Sequence, residues 1–351
     1  MNHMNDVFAK RLKSARVMSS LSQDQLVERI GGMVTKNAIS KYEKGEMLPN
    51  SDVLIALAKA LDVKTDFFYR EFSVSIENIE FRKKSKLGKK KENSIKEQVV
   101  DIVNRYLELE QFLNIQSEFE NPISHIQIND KWDVENAANE LLEVWNLGHN
   151  ALPNVIDLLE DKEIKVVEIN APEEFDGFSG WADGKYPVIV LNKNFGLERK
   201  RLTALHELAH LLLQFNKEIE HRPMEKMCFQ FGGALLMPLD TFKREFGENR
   251  SHVAINELIA MKETYGMSVS AIMARAKVLG LISDFSYLRF NKWISNNRTE
   301  EGLGEYIGVE ESKRFNQLLY RAASEEIISM SKAANLSNQK LAQFRRNFVA
   351  I

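Results

Sequence analysis

LTALHELAHLLLQF, residues 202–215, decides how this chain is read. It holds His206, Glu207 and His210 in the pattern H-E-x-x-H. Residues four apart on a helix lie one turn apart on the same face. Both imidazoles can therefore point at one ion, with the Glu207 carboxylate beside them. The rest of the stretch is apolar: Leu202, Ala204, Leu205, Leu208, Ala209, Leu211, Leu212, Leu213 and Phe215. A helix that is apolar all round is buried, and polar groups buried without partners are costly. A bound metal satisfies all three side chains at once. Two imidazole ligands plus a carboxylate that takes a proton from activated water is zinc-hydrolase chemistry. The competing reading is an amphipathic helix with two solvated histidines, which so apolar a segment does not suit.

The whole chain sets the frame. Its 351 residues leave room for two or three domains, and 44% apolar content is ordinary for globular proteins. A net charge of −3 argues against a generic polyanion binder, so any basic surface has to be local. The single cysteine, Cys228, allows no disulfide framework and no thiolate zinc cluster within one chain, which fits a reducing compartment. No secretory pattern opens the sequence, and no apolar run is long enough for a membrane span. A cytoplasmic protein without a membrane partner is expected.

Residues 1–72 read as short helices with tight turns. Phe8, Leu12 and Ala15 share a helical face. Ser22 with Gln25 three residues on forms a capping box. Gly31-Gly32 ends that helix, Gly45 closes the next, and Asn50-Ser51 opens SDVLIALAKALDV. This stretch resembles the phage-repressor and Cro-like (XRE) helix-turn-helix family. The matching residues are Arg11-Leu12, Ser22 to Leu26, Ile39 to Gly45, Pro49, and Leu57 to Val63. The resemblance implies an all-α, lambda-repressor-like DNA-binding domain that takes double-stranded DNA, with Thr35 to Lys44 as recognition helix. Thr35, Lys36, Asn37 and Lys41 would face the major groove, and Gln23 would meet a phosphate at a helix N-terminus. The turn through Gly31-Gly32-Met33-Val34 is about two residues longer than the family pattern.

Residues 73–130 read as a basic linker and connecting helix. FRKKSKLGKKK (81–91) carries seven basic residues and no acid. Such a run is a solvated linker, and behind a DNA-binding domain it can also add phosphate contacts. A helix over 93–113 puts Ile95, Val99, Ile102, Val103, Tyr106 and Leu109 on one stripe, as a connecting or dimerising element.

Residues 131–285 hold the catalytic candidate. Asp133 is expected to cap a helix to about Trp145, and Pro153 to start another. EIKVVEI and PVIVLN read as strands, separated by a loop rich in Gly and Asp (Asp176, Gly177, Gly180, Asp183, Gly184). Ile189 to Asn192 is the candidate strand for holding an extended substrate by backbone pairing. A third metal ligand should lie downstream. The spacing H-E-x-x-H-x-x-G-x-x-H is absent, since Leu213 and Asn216 stand at the Gly and His positions. Glu218, Glu220, Glu225 and His221 are the candidates. Glu218 and Glu220 lie close to the end of the first helix. Glu225 precedes a helix-like run, EKMCFQFGGALLMP, whose packing on the first helix would bring it to the ion.

LTALHELAHLLL followed by EKMCFQFGGALLMP resembles the ImmA/IrrE metallopeptidase family, whose pattern places a Glu thirteen residues before the Pro of Leu-Leu-Met-Pro, as Glu225 and Pro238 stand here. Phe175 to Gly180, Ile189 to Asn192, Phe231, Arg199 and Arg201 fit as well. The resemblance implies a zincin-like α+β domain with Zn2+ on His206, His210 and Glu225, and Glu207 as general base. Cys228 and Phe229 depart from the family's Ala-Asn, and Gly232 from its Ala. Cys228 is then a small core residue or a thiolate that touches the zinc. For the oxyanion, Tyr186 and His221 stand as alternatives. Residues 258–282 resemble the helical element that follows the catalytic segment, and 286–351 read as a helical C-terminal region. The expected molecule is mostly α. It would be a DNA-binding regulator whose zinc peptidase cleaves a protein, by resemblance a repressor in a stress or mobile-element response, and works as a homodimer. The alternatives are a non-enzymatic repressor or antitoxin whose zinc domain senses or scaffolds, and self-cleavage within the 81–91 linker.

Overall fold

The computed structural model describes residues 3–71, 76–77 and 87–349. Residues 81–86 of the basic run lie outside them. The amino-terminal bundle comprises α1 (His3–Met18), α2 (Gln23–Arg29), α3 (Lys36–Glu43), α4 (Ser51–Leu61) and a 3-10 turn over Thr65–Tyr69. Its starts are written in the sequence. Ser22 caps α2 in a reciprocal box with Gln25, Thr35 caps α3 and Asn50 caps α4. Gly31 and Gly32 take φ of +69° and +70° in the turn before α3, a conformation open to glycine at no steric cost. Phe8, Leu12, Leu26, Ile39, Leu57 and Phe68 form the buried core.

The strand β1 (Ile76–Glu77) and then α5 (Lys89–Phe112) lead out of the bundle. Arg11 fixes the bundle to α5. It is fully buried and donates to the carbonyls of Arg70 (2.6 Å) and Glu71 (2.9 Å) and to Asp101 Oδ1 (3.3 Å). Burial pulls its guanidinium down to about 10, with Asp101 opposing the shift. The apolar stripe of α5 is consumed inside the chain. Ile95, Val99, Val103 and Leu107 cover one face of the central sheet, while Tyr106 and Leu109 pack on carboxy-terminal helices.

The domain beyond continues with β2 (Gln127–Ile128), α6 (Lys131–Val144), α7 (Val155–Asp161), β3 (Lys165–Ile169), β4 (Gly177–Ala182), β5 (Tyr186–Asn192), α8 (Leu197–Leu212), β6 (Gln214–Phe215) and α9 (His221–Leu236). The main sheet has the order β1-β4-β5-β3, with β3 and β5 parallel and β4 antiparallel to β5. One face meets α5; the other, through Ile189, Leu191 and Val166, meets α8 and the largest core.

Four expectations change. The segment read as a Gly- and Asp-rich loop contains β4. Its alternation is hidden because two of its positions are glycines: a Cβ on Gly177 would stand 2.6 Å from the Val190 carbonyl. With β4 and β3 on either side, β5 is interior, so Ile189 to Asn192 cannot take a substrate strand; among the described residues β4 pairs with β1 at Trp181 and Ala182, which leaves the rest of its outer side, and the outer side of β3, as edges. Asp130, not Asp133, caps α6, and Asp133 is its reciprocal partner three residues on. Asn154 caps α7, just after Pro153.

The chain then forms α10 (Leu239–Phe246), α11 (Ile255–Tyr265), α12 (Val269–Val278), α13 (Asp284–Ile294), α14 (Arg314–Ser324), α15 (Met330–Leu336) and α16 (Leu341–Asn347). Between α13 and α14, residues 295–313 form neither helix nor strand. This strap is pinned by two buried carboxylates at helix starts. Glu300 accepts from the amides of Val269 (2.9 Å) and Ser270 (2.8 Å), and Glu310 from those of Val155 and Ile156 (both 3.0 Å) while pairing with buried Arg201. Helices α14 to α16 return to α5, and Lys64 of the bundle donates to the carbonyl of Ala334 (2.9 Å).

Candidate metal centre

Helix α8 is buried on nearly every side, which follows from its composition. His206 and His210 sit one turn apart, and their Nε2 atoms approach to 3.1 Å. Helix α9 crosses close by. Gly232 lies at the crossing, where a Cβ would meet Leu202 Cδ1 at 3.2 Å and the His206 amide nitrogen at 3.3 Å. Glu225, in the second turn of α9, thereby reaches the histidines, with Oε1 3.2 Å from His210 Nε2 and Oε2 3.7 Å from His206 Nε2. One ligand atom from each residue lies within 4.8 Å of the others.

The residues fit a zinc ion. Two ring nitrogens 3.1 Å apart can share at most one proton, and a carboxylate oxygen converges on the same point. Lone pairs crowded in this way in a buried place call for a cation, and two imidazoles with one carboxylate are zinc donors that leave a fourth position open. His206 is fully buried, whereas the side chains of His210 and Glu225 keep 11% and 20% of their surface, so the cluster has one open side.

Glu207 lies next to the cluster, almost fully buried, and its Oε2 accepts from Ser179 Oγ at 3.0 Å. Ser179 stands on the face of β4 turned to α8. The signal that could have found it is the alternation Gly177, Ser179, Trp181, once that segment is recognised as a strand. Phe229, one turn after Glu225, packs against His206 with centroids 4.2 Å apart and the rings tilted by 42°, and stays 39% exposed at the open side. Cys228 is fully buried, and its Sγ lies 3.8 Å from His210 Nδ1. It therefore backs the ring nitrogen turned away from the convergence point and does not join the ligand cluster.

The other candidates separate. His221 Nε2 lies 3.9 Å from Glu225 Oε1, near the open side. Tyr186 shares its strand face with Val188 and Val190 against the α5 core, across the sheet from α8, and is not at the site. Glu218 and Glu220 precede α9 and are not in the cluster. In the bundle, Thr35, Lys36, Asn37 and Lys41 are exposed on α3. The Thr35 hydroxyl caps the helix, and Lys36 reaches Asp24 Oδ2 at 2.7 Å. Gln23 opens α2, with its amide donating to Glu43 Oε2 at 2.9 Å.

A bundle with the layout of a helix-turn-helix domain is thus joined to a domain that carries a His-His-Glu cluster of metallopeptidase type. Comparison with known families agrees. Residues 12–68 match a helix-turn-helix family model, and residues 159–277 match the M78 peptidase family model described as an IrrE N-terminal-like domain. The chain thus carries an XRE-type helix-turn-helix domain at residues 12–68 and an IrrE-like domain at residues 159–277. No curated protein matches it significantly. Among the described residues, no helix is long and apolar enough to cross a membrane.

Proposed function

We propose that this chain is a DNA-binding regulator whose IrrE-like domain is a zinc-dependent peptidase of narrow specificity, acting on a partner protein of the transcription machinery, a repressor above all. The observation that carries this reading is the convergence of His206, His210 and Glu225 with Glu207 held beside them by Ser179. A purely structural zinc site closes its fourth position with a protein ligand and has no use for a buried carboxylate next to it.

Bound there, zinc would polarise a peptide carbonyl and lower the pKa of water toward 7. His206, His210 and Glu225 hold the ion. Glu207 accepts the proton of the attacking water and passes it to the leaving amine. Ser179 fixes one oxygen of that carboxylate, so the base is positioned before substrate arrives. The outer side of β4 pairs with the extended substrate backbone, and His221 is placed to meet the oxyanion from the open side. Thr35, Lys36, Asn37 and Lys41 read bases while Gln23 meets a phosphate, on a homodimer across two half-sites.

The test compares cells producing wild type with cells producing Glu207→Gln, mapping new protein N-termini. Glu207→Gln should keep its zinc and lose a small set of cleavage products by at least about 100-fold. Unchanged products, or regulation of gene expression that survives intact in the variant, would leave the domain as a sensor or scaffold.

A further inference from the structure

The start of α5 belongs to neither matched domain, yet it is placed against the bundle's DNA-facing element. Lys89, Lys90 and Lys91 form its first turn and all three are exposed. Lys90 Nζ lies 3.3 Å from Gln25 Oε1, and Gln25 is the residue that completes the cap of α2. The same turn of α2 is touched from its other neighbour, since Lys36 of α3 reaches Asp24. Lysines of the recognition helix and of α5 thus meet on one turn of α2. Ser94 and Gln98 lock this arrangement by donating to the Met18 carbonyl at the end of α1.

Stability of α5 does not explain the three lysines. Cations at a helix start oppose the helix dipole, and only Glu92 in that turn offsets them. Nor does the composition of the chain, whose net charge is −3. Charge and position instead match a polyanion already seated on α2 and α3.

We infer that Lys89, Lys90 and Lys91 are DNA-backbone contacts that extend the helix-turn-helix surface onto α5. The inference rests on the bundle being a DNA-binding domain. It gives α5 a second role. Its body is packed on the peptidase sheet through Ile95, Val99 and Val103, so phosphates held at its start tie the peptidase domain itself to the DNA. Sequence preference stays with α3, because phosphate contacts position a protein without reading bases.

Salt dependence tests this with the full-length protein and a random-sequence DNA duplex. The slope of log affinity against log salt falls by about 0.9 for each phosphate that is no longer neutralised. The triple variant Lys89→Gln, Lys90→Gln, Lys91→Gln should bind more weakly, with a slope shallower by about 2 to 3. The matching triple arginine variant should keep the wild-type slope, and circular dichroism should show all three proteins equally helical. A glutamine variant with wild-type slope overturns the inference and leaves the DNA-binding reading standing. A wild type that binds no duplex at all overturns both.

Discussion

The peptidase reading turns on the pair Ser179 and Glu207. A carboxylate that is to take a proton from water needs a fixed position more than it needs exposure, and the 3.0 Å hydrogen bond from the Ser179 hydroxyl supplies it. Ser179→Ala should therefore lower kcat by about 10- to 100-fold with zinc content unchanged, the range found for partners that orient a site's ligands and bases. Steady-state kinetics on a cleaved peptide, alongside metal analysis, checks this. A variant of full activity would remove Ser179 from the mechanism. The convergence of His206 and His210 was readable from sequence because helical periodicity fixes their geometry wherever the helix lies. Ser179 was not, because its contact depends on a strand lying across α8. Cys228 was readable only as an ambiguity. Its distance from Glu225 along the helix left open which side of His210 it would meet, and it meets the far one.

Among the elements, the contact of α8 with α9 makes the site. Glu225 belongs to the cluster because α9 runs close to α8, and Gly232 lies at their tight crossing. Gly232→Val would push its side chain into Leu202, Leu205 and the His206 backbone. Overpacking of this kind costs about 1–3 kcal/mol, so denaturant unfolding should show a loss of that size, together with weaker zinc binding than wild type. Unchanged stability and metal affinity would mean that the helices yield without moving Glu225. The sequence allowed this helix pair to be anticipated, since Glu225 stands before an apolar run. It revealed two strands of the sheet, β3 and β5, but not β4, which lies between β1 and β5. Strands β3 and β5 are rich in β-branched and apolar residues, but β4 is broken up by Gly177 and Gly180, which carry no strand signal; Gly177 stands where a Cβ would meet the Val190 carbonyl. Missing β4 also made β5 look like an edge.

At the level of the whole molecule, α5 is the shared element. It receives the bundle through Arg11 and Asp101, covers the sheet with one stripe, and takes helices α14 to α16 on its far end. Its apolar stripe was plain in the sequence; its covering was not, because long-range contacts leave no local pattern. The strap carrying Glu300 and Glu310 was equally hidden, since an isolated Glu in a loop reads as solvent-exposed until the helix starts it caps are in place. The convergence of His206, His210 and Glu225 calls for a single zinc ion on these three residues. Metal content of the purified full-length protein, measured by plasma mass spectrometry after dialysis against a weak chelator, tests it most directly. A single zinc per wild-type chain is expected, the same in Glu207→Gln, and almost none in His206→Ala or Glu225→Ala. A wild type free of zinc after reconstitution, or a Glu225→Ala protein that holds zinc as tightly as wild type, would contradict it.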